Sequence, residues 1–200
     1  MSNCDKIVGA EQLSVSVVGN SKKFESGDII GRFECECYDK DGNLKWTDGF
    51  DNLITTAGKQ MLLNNLRQTF TWSAAHLGLI SSDTYSAPVI GDTMTAHSTW
   101  KECLANSAVT VPNIAARGVM SFGAPTLNGN NVDMAASAVQ FTIQNNGGAC
   151  QGAFVVINGT SAIGNTTGTL FSAGAFSGGA KTVAVSDTLN VTYTATLVGP

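Results

Sequence analysis

Chemistry in a protein needs particular residue types at particular spacings, and this chain offers few such sets. Histidine occurs twice, as His76 and His97. A serine nucleophile needs a base and an orienting acid beside it, and neither histidine stands in a nucleophile-elbow signature. His76 falls on a strand pattern, where a single imidazole is a packed or surface residue. Cys35 and Cys37 stand two apart, but zinc needs a second pair at set spacing, and none follows. Glu34 and Glu36 share a strand face, yet it is the polar, solvent side, whereas glycoside hydrolysis needs carboxylates facing each other across a substrate. Asp39-Lys40-Asp41-Gly42-Asn43 mimics the start of a calcium loop. Its glycine falls one place after the second aspartate, and Phe50 stands where the bidentate glutamate should be. No phosphate-cradling loop of the Walker or dinucleotide kind occurs. The sequence therefore predicts no catalytic residue, no metal ligand and no cofactor.

Binding is the other use of a surface, and two sets of residues suit it. Leu13, Val15 and Val17 make one short alternating run within residues 1–28. That stretch is too poor in apolar residues to form a core, and reads as an arm or as a first strand. An arm of this kind adds a strand to a neighbour's exposed edge, so these three are the expected contacts to a neighbouring subunit. Trp72, Tyr85 and Trp100 lie beside or within a Ser/Thr/Asp-rich loop over residues 81–99, and offer an aromatic platform for a sugar.

The elements that must position these residues are mostly strands. In the ending, Leu189, Val191, Tyr193, Ala195 and Leu197 alternate with Asn190, Thr192, Thr194 and Thr196. Such period-two alternation predicts a half-buried antiparallel strand. Gly178-Gly179 stands before it as a hairpin turn. Phe33, Cys35 and Cys37 oppose Arg32, Glu34, Glu36 and Tyr38, giving a strand over 29–38. Asp41-Gly42 turns that strand into a return at Leu44–Thr47, and residues 46–52 lead into the one helix. Thr55 or Thr56 caps this helix. Ala57, Met61, Leu62 and Leu66 form its apolar stripe, which closes one face of a sheet. Further strands are predicted at Thr71–Ile80, Val109–Val111, Gly118–Phe122, Val139–Ile143, Phe154–Ile157 and Thr169–Phe176, with a short turn of helix near Thr93–His97. About ten short strands separated by turn residues indicate an all-β fold, an antiparallel β-sandwich of jelly-roll type with one short helix at about 55–67. The expected organisation is residues 1–28 as arm or first strand and 29–200 as a single β-sandwich domain.

Composition narrows the partners. The net charge of −4 leaves no basic footprint for nucleic acid. Only 13% of the residues are charged, about half the usual share of roughly 25%. Residues 1–117 carry 23 of the 26 charges, leaving Asp133, Lys181 and Asp187 for the rest. A surface of Thr, Ser, Asn and Gly with so few charges is poorly protected against association, so a homo-oligomer is expected. No basic-then-apolar leader is visible in residues 1–12, and no apolar run has membrane-span length. The five cysteines are odd in number and scattered, and read as free thiols of a chain made in a reducing cytoplasm. The triplets at Asn158, Asn165 and Asn190 are then incidental to a Thr-rich sequence.

Two segments carry a resemblance. One is the run from Trp46 to Lys59, Trp-Thr-Asp-Gly-Phe-Asp-Asn-Leu-Ile-Thr-Thr-Ala-Gly-Lys. The other combines His76-Leu77-Gly78-Leu79-Ile80, Asp92-Thr93-Met94 with Trp100, and the ending from Gly168-Thr169-Leu170-Phe171 to Val191-Thr192-Tyr193-Thr194-Ala195. Together they resemble small virion proteins of tailed bacteriophages, over about residues 44 to 197. The arm and the Cys35/Cys37 strand fall outside the resemblance. It implies a head decoration or cement protein made in the host cytoplasm. Such a protein would lie on the outer surface of the capsid, bind the major capsid protein and copies of itself (as a trimer by preference), and stabilise the assembled shell. The alternative it implies is a tail or fibre component that binds a host-surface glycan. The matching motifs are turns, a cap and strand faces, so no catalytic residue comes with them, and neither nucleic acid nor membrane is an expected partner.

Overall fold

The structure, a computed structural model, describes residues 28–104 and 111–199. Eleven antiparallel strands and one helix make up its regular elements. β1 (Asp28–Tyr38) and β2 (Leu44–Ile54) form a hairpin, followed by α1 (Thr56–Leu66) and β3 (Ala75–Ser81). The remainder is β4 (Gly118–Met120), β5 (Thr126–Asn128), β6 (Asn131–Ala135), β7 (Val139–Thr142), β8 (Gly148–Ile157), β9 (Thr169–Ala175), β10 (Lys181–Val183) and β11 (Thr188–Val198). The strands pair in the order β4-β3-β8-β9-β2-β1-β11-β6-β5, with β10 also on β8 and β7 also on β11. The expected all-β class with one short helix holds. One continuous sheet curls on itself, and β2 is the strand shared by its two halves.

Alternation behaves as predicted in β1 and β11, which pair along their whole length from Asp28↔Val198 to Tyr38↔Thr188. Phe33, Cys35 and Cys37 are buried with Leu189, Val191 and Tyr193, and their neighbours in sequence face outward. The Phe33 ring lies 5.1 Å from Phe50 and 4.8 Å from Tyr193. Phe50 in turn meets Phe176 edge-on at 5.1 Å. These offset and tilted contacts knit the two halves of the sheet into one core. β3 is buried on both faces instead of one. Leu77 and Leu79 point into the main core. On the other side a second cluster of Ile80, Phe154, Val156 and Leu170 is roofed by Met94 and Trp100 from the long loop after β3.

Several local expectations give way to the tertiary arrangement. The Gly178-Gly179 turn does not make a hairpin. β9 and β10 both run antiparallel to β8, with Ala175 opposite Gly152 and Lys181 opposite Cys150. The turn is a loop extruded from one strand line, with Gly179 at φ +78°. Asp48 anchors it, accepting from Ser177 N at 3.1 Å and Ser177 Oγ at 2.8 Å, and pairing with Lys181 Nζ at 2.9 Å. Residues 46–52 are strand, not a lead-in, because pairing with β1 across Gly31–Cys37 outweighs the weak alternation around Asp48-Gly49. β3 begins at Ala75 and not at Thr71. Ahead of it, Ser73 N and Oγ donate to Asn158 Oδ1 at 2.7 and 2.9 Å, which removes them from a ladder. Thr93–Ala96 is a tight turn closed by Thr93 N to Ala96 O at 3.0 Å, with no helical turn. Val111 is buried but lies in a bend, and Val109 lies outside the described residues. Unforeseen strands β5 and β6 flank the Asn128–Asn131 turn.

The helix is where the sequence places it. Thr55 caps it, its Oγ1 accepting from Gly58 N at 3.0 Å. Its stripe is shorter than predicted. Met61 is buried and Leu62 partly so, whereas Leu66 is 81% exposed. The helix meets the sheet with its first turns only. A Cβ at Gly58 would stand 2.5 Å from the Phe171 carbonyl oxygen, so glycine is what allows this approach.

Candidate interaction surfaces

The residue types that could do chemistry are dispersed by the fold. His76 sits in β3, buried, with no protein partner for Nδ1. Burial, and then the nearby Arg117 charge, lower its pKa, which favours the neutral imidazole. His97 stacks on Trp100 at 4.0 Å, with Nδ1 3.2 Å from the Trp100 carbonyl oxygen. Glu34 is exposed and joined to Arg32 at 2.6 Å, and Arg32 also reaches Asp51 at 3.0 Å. Cys35, Cys37, Cys103 and Cys150 are buried free thiols. Burial pushes Cys37 up to about 12 and Cys35 higher still. The fold does bring two of the scattered thiols together, Cys103 and Cys150, with sulfurs 3.8 Å apart. The calcium-like turn is occupied by its own backbone, because Asp39 Oδ1 accepts from Asp41 N and Asn43 N, both at 2.9 Å. Among the described residues, no three His, Cys, Asp or Glu side chains converge as a metal site.

The aromatic platform is not assembled. Trp100 is 1% exposed, its Nε1 donates to Asp92 at 2.9 Å, and its ring lies 5.2 Å from Phe154. Tyr85 packs against that same inner cluster. Trp72 lies apart from both, 42% exposed and 6.1 Å from Phe122. The reason is the long loop, which folds back as a roof over β3, β8 and β9 and takes Trp100 inward. Trp72 instead borders a separate groove of about 470 Å³ with Leu62, Met120, Phe122 and Met134. The arm residues Leu13, Val15 and Val17 lie outside the described residues.

One arrangement escaped the sequence reading. Arg117 and Glu102 form a buried two-pronged ion pair, Nε to Oε1 and Nη2 to Oε2, both 2.8 Å. Arg117 also donates to the carbonyls of Thr160 and Asn165, and Glu102 accepts from Gly164 N at 2.9 Å. The pair ties three irregular segments to the sheet beside a cavity of about 280 Å³ that includes His97, Lys101 and Leu104. The only signal in the sequence was Arg117 as a lone charge among small and apolar neighbours, and nothing there named Glu102, which follows Lys101, as its partner.

Paired β7, β11, β1 and β2 present a polar outward face. Register sets Thr142, Thr188 and Tyr38 side by side, and Gln140, Asn190, Glu36 and Thr47 in the next row. Tyr38 donates its hydroxyl to Glu36 at 2.6 Å, which raises the phenol pKa. A groove of about 350 Å³ lies at this end of the face.

Fold and surfaces together define the class: an all-β protein of one curled antiparallel sheet, with binding surfaces as its functional candidates. No family model matches the chain, and no curated protein or solved structure matches it.

Proposed function

We propose that this chain is a structural protein of a tailed-phage particle that covers and stabilises the assembled head shell. The resemblance supplies the kind of particle, and one observation of the surface supports the covering role. Each of the three charges in residues 118–199 is engaged by the protein itself. Asp133 accepts from Thr196 at 2.6 Å and Asn128 at 2.8 Å. Asp187 pairs with Lys45 and accepts from Ala184 N at 2.7 Å. Lys181 pairs with Asp48 at 2.9 Å. What that half presents is amide, hydroxyl and apolar surface, including Val119 at 69% and Leu127 at 84% exposure. Such a surface fits close neighbours better than open solvent. A cement protein works by mass action, binding the assembled lattice and not the free subunit, and so raises the melting temperature of the shell.

The test is to add the purified protein to emptied, expanded shells of the encoding phage that lack it. The expected result is saturable binding at many symmetry-related positions and a higher shell melting temperature. Density confined to the tail in a low-resolution map of the particle, with bare shells, would overturn the reading in favour of a tail component.

A further inference from the structure

We propose that the groove at the Tyr38 end of the outward sheet face binds a neutral saccharide. The proposal does not rest on the shell-covering reading, because it concerns this face alone. Three elements build the groove: the end of β1 with its hairpin turn, the start of β11, and β7. Its volume of about 350 Å³ lies at the lower end of small-ligand sites, which run to roughly 300–1,000 Å³. That is room for a short saccharide laid across the strands.

The chemistry comes from what is occupied and what is left open. The charged groups of the groove are satisfied locally. Lys40 Nζ sits 2.7 Å from Asp41, and the Asp39 carboxylate takes the turn amides and Asn43 Nδ2. Arg32, farther along the face, is held by Glu34 and Asp51. The rim sets Asp39 and Asp41 against the single Lys40, a net negative charge that disfavours an anionic ligand here. Gln140 Nε2 donates to Asn190 Oδ1 at 3.2 Å. That bond leaves an acceptor on Gln140 and donors on Asn190. The Thr188 hydroxyl adds a group that both donates and accepts. Sugar hydroxyls need this mixture, since each is donor and acceptor at once. Tyr38 supplies the other half of saccharide recognition, an aromatic surface for the C–H face of a sugar ring. Its hydroxyl is fixed to Glu36, two residues back on the same face, so the ring is held along the strand. Thr142, opposite Thr188 in the register, extends the hydrogen-bonding surface beyond the groove.

The experiment uses the full chain and defined probes. Gluco-, manno- and N-acetylglucosamine oligosaccharides are compared with a sulfated oligosaccharide by saturation-transfer NMR and titration. At least one neutral series is expected to bind with micromolar to millimolar affinity, and the sulfated probe more weakly. Tyr38→Ala and Gln140→Ala should each weaken binding about tenfold, the loss that follows removal of a principal contact. Gln140 is exposed, so its variant keeps the test decisive if Tyr38→Ala fails to fold. Three results would overturn the proposal: no neutral probe binding at millimolar concentration, undiminished binding by both variants, or tighter binding of the sulfated probe. None of these bears on whether the protein coats a shell.

Discussion

Arg117 and Glu102 take two charges out of water, with their side chains 1% and 7% exposed. Such a pair is tolerated because its geometry is two-pronged and backbone groups supply three further hydrogen bonds to it. The Arg117 guanidinium also lies 5.5 Å from the Phe154 ring centre, which binds it to the inner cluster. Removing one partner leaves the other buried and alone. Glu102→Gln is therefore expected to destabilise the protein by about 3–5 kcal/mol in urea unfolding. Replacing both with apolar residues, Glu102→Leu with Arg117→Met, should recover much of that loss. If the single variant unfolds at the wild-type midpoint, the pair does not anchor the three segments it joins.

At the scale of elements, the helix shows how packing overrides an amphipathic pattern. Met61 reaches the sheet, whereas Leu66 extends past its edge. Gly58 lets the first turns close onto β9, and Thr55 holds the start, so the far end has nothing to pack on. Met61→Ala should cost about 2–5 kcal/mol, while Leu66→Asp should stay within about 0.5 kcal/mol of wild type. Chemical denaturation of the two variants checks both. Equal effects would mean that the helix docks along its whole length. The extruded 177–180 loop teaches the same lesson from the other side. A Gly-Gly pair permits a tight turn, but the continuing ladder on β8 decided that the chain would not reverse there.

Across the whole molecule, the sheet path ends in two short strands, β4 and β5, and each presents an exposed apolar side chain, Val119 and Leu127. Short edges limit uncontrolled pairing, yet their outer backbone groups remain templates for a neighbouring chain. With few uncommitted charges nearby, self-association is the expected behaviour. Sedimentation velocity should show concentration-dependent oligomers, and Val119→Lys with Leu127→Lys should shift them toward monomer. A wild-type chain that stays monomeric at high concentration would remove self-association from the proposed mode of action.

By itself the sequence determined what depends on one residue and its near neighbours. The alternating faces of β1 and β11, the Asp41-Gly42 turn, the Thr55 cap, the single helix and the charge-poor second half were all legible there. These are local properties, fixed by side-chain period and turn chemistry. Tertiary structure decided everything that needs two distant segments to meet. β1 lies against a strand some 150 residues later, and no periodicity names that partner. The same holds for the roof that buries Trp100, for the meeting of Glu102 with Arg117, and for the groove that sets Tyr38 beside Gln140 and Asn190. A side chain's pattern tells which face it takes. Only the pairing of strands tells what that face will touch, because pairing is chosen by burial summed over the whole chain.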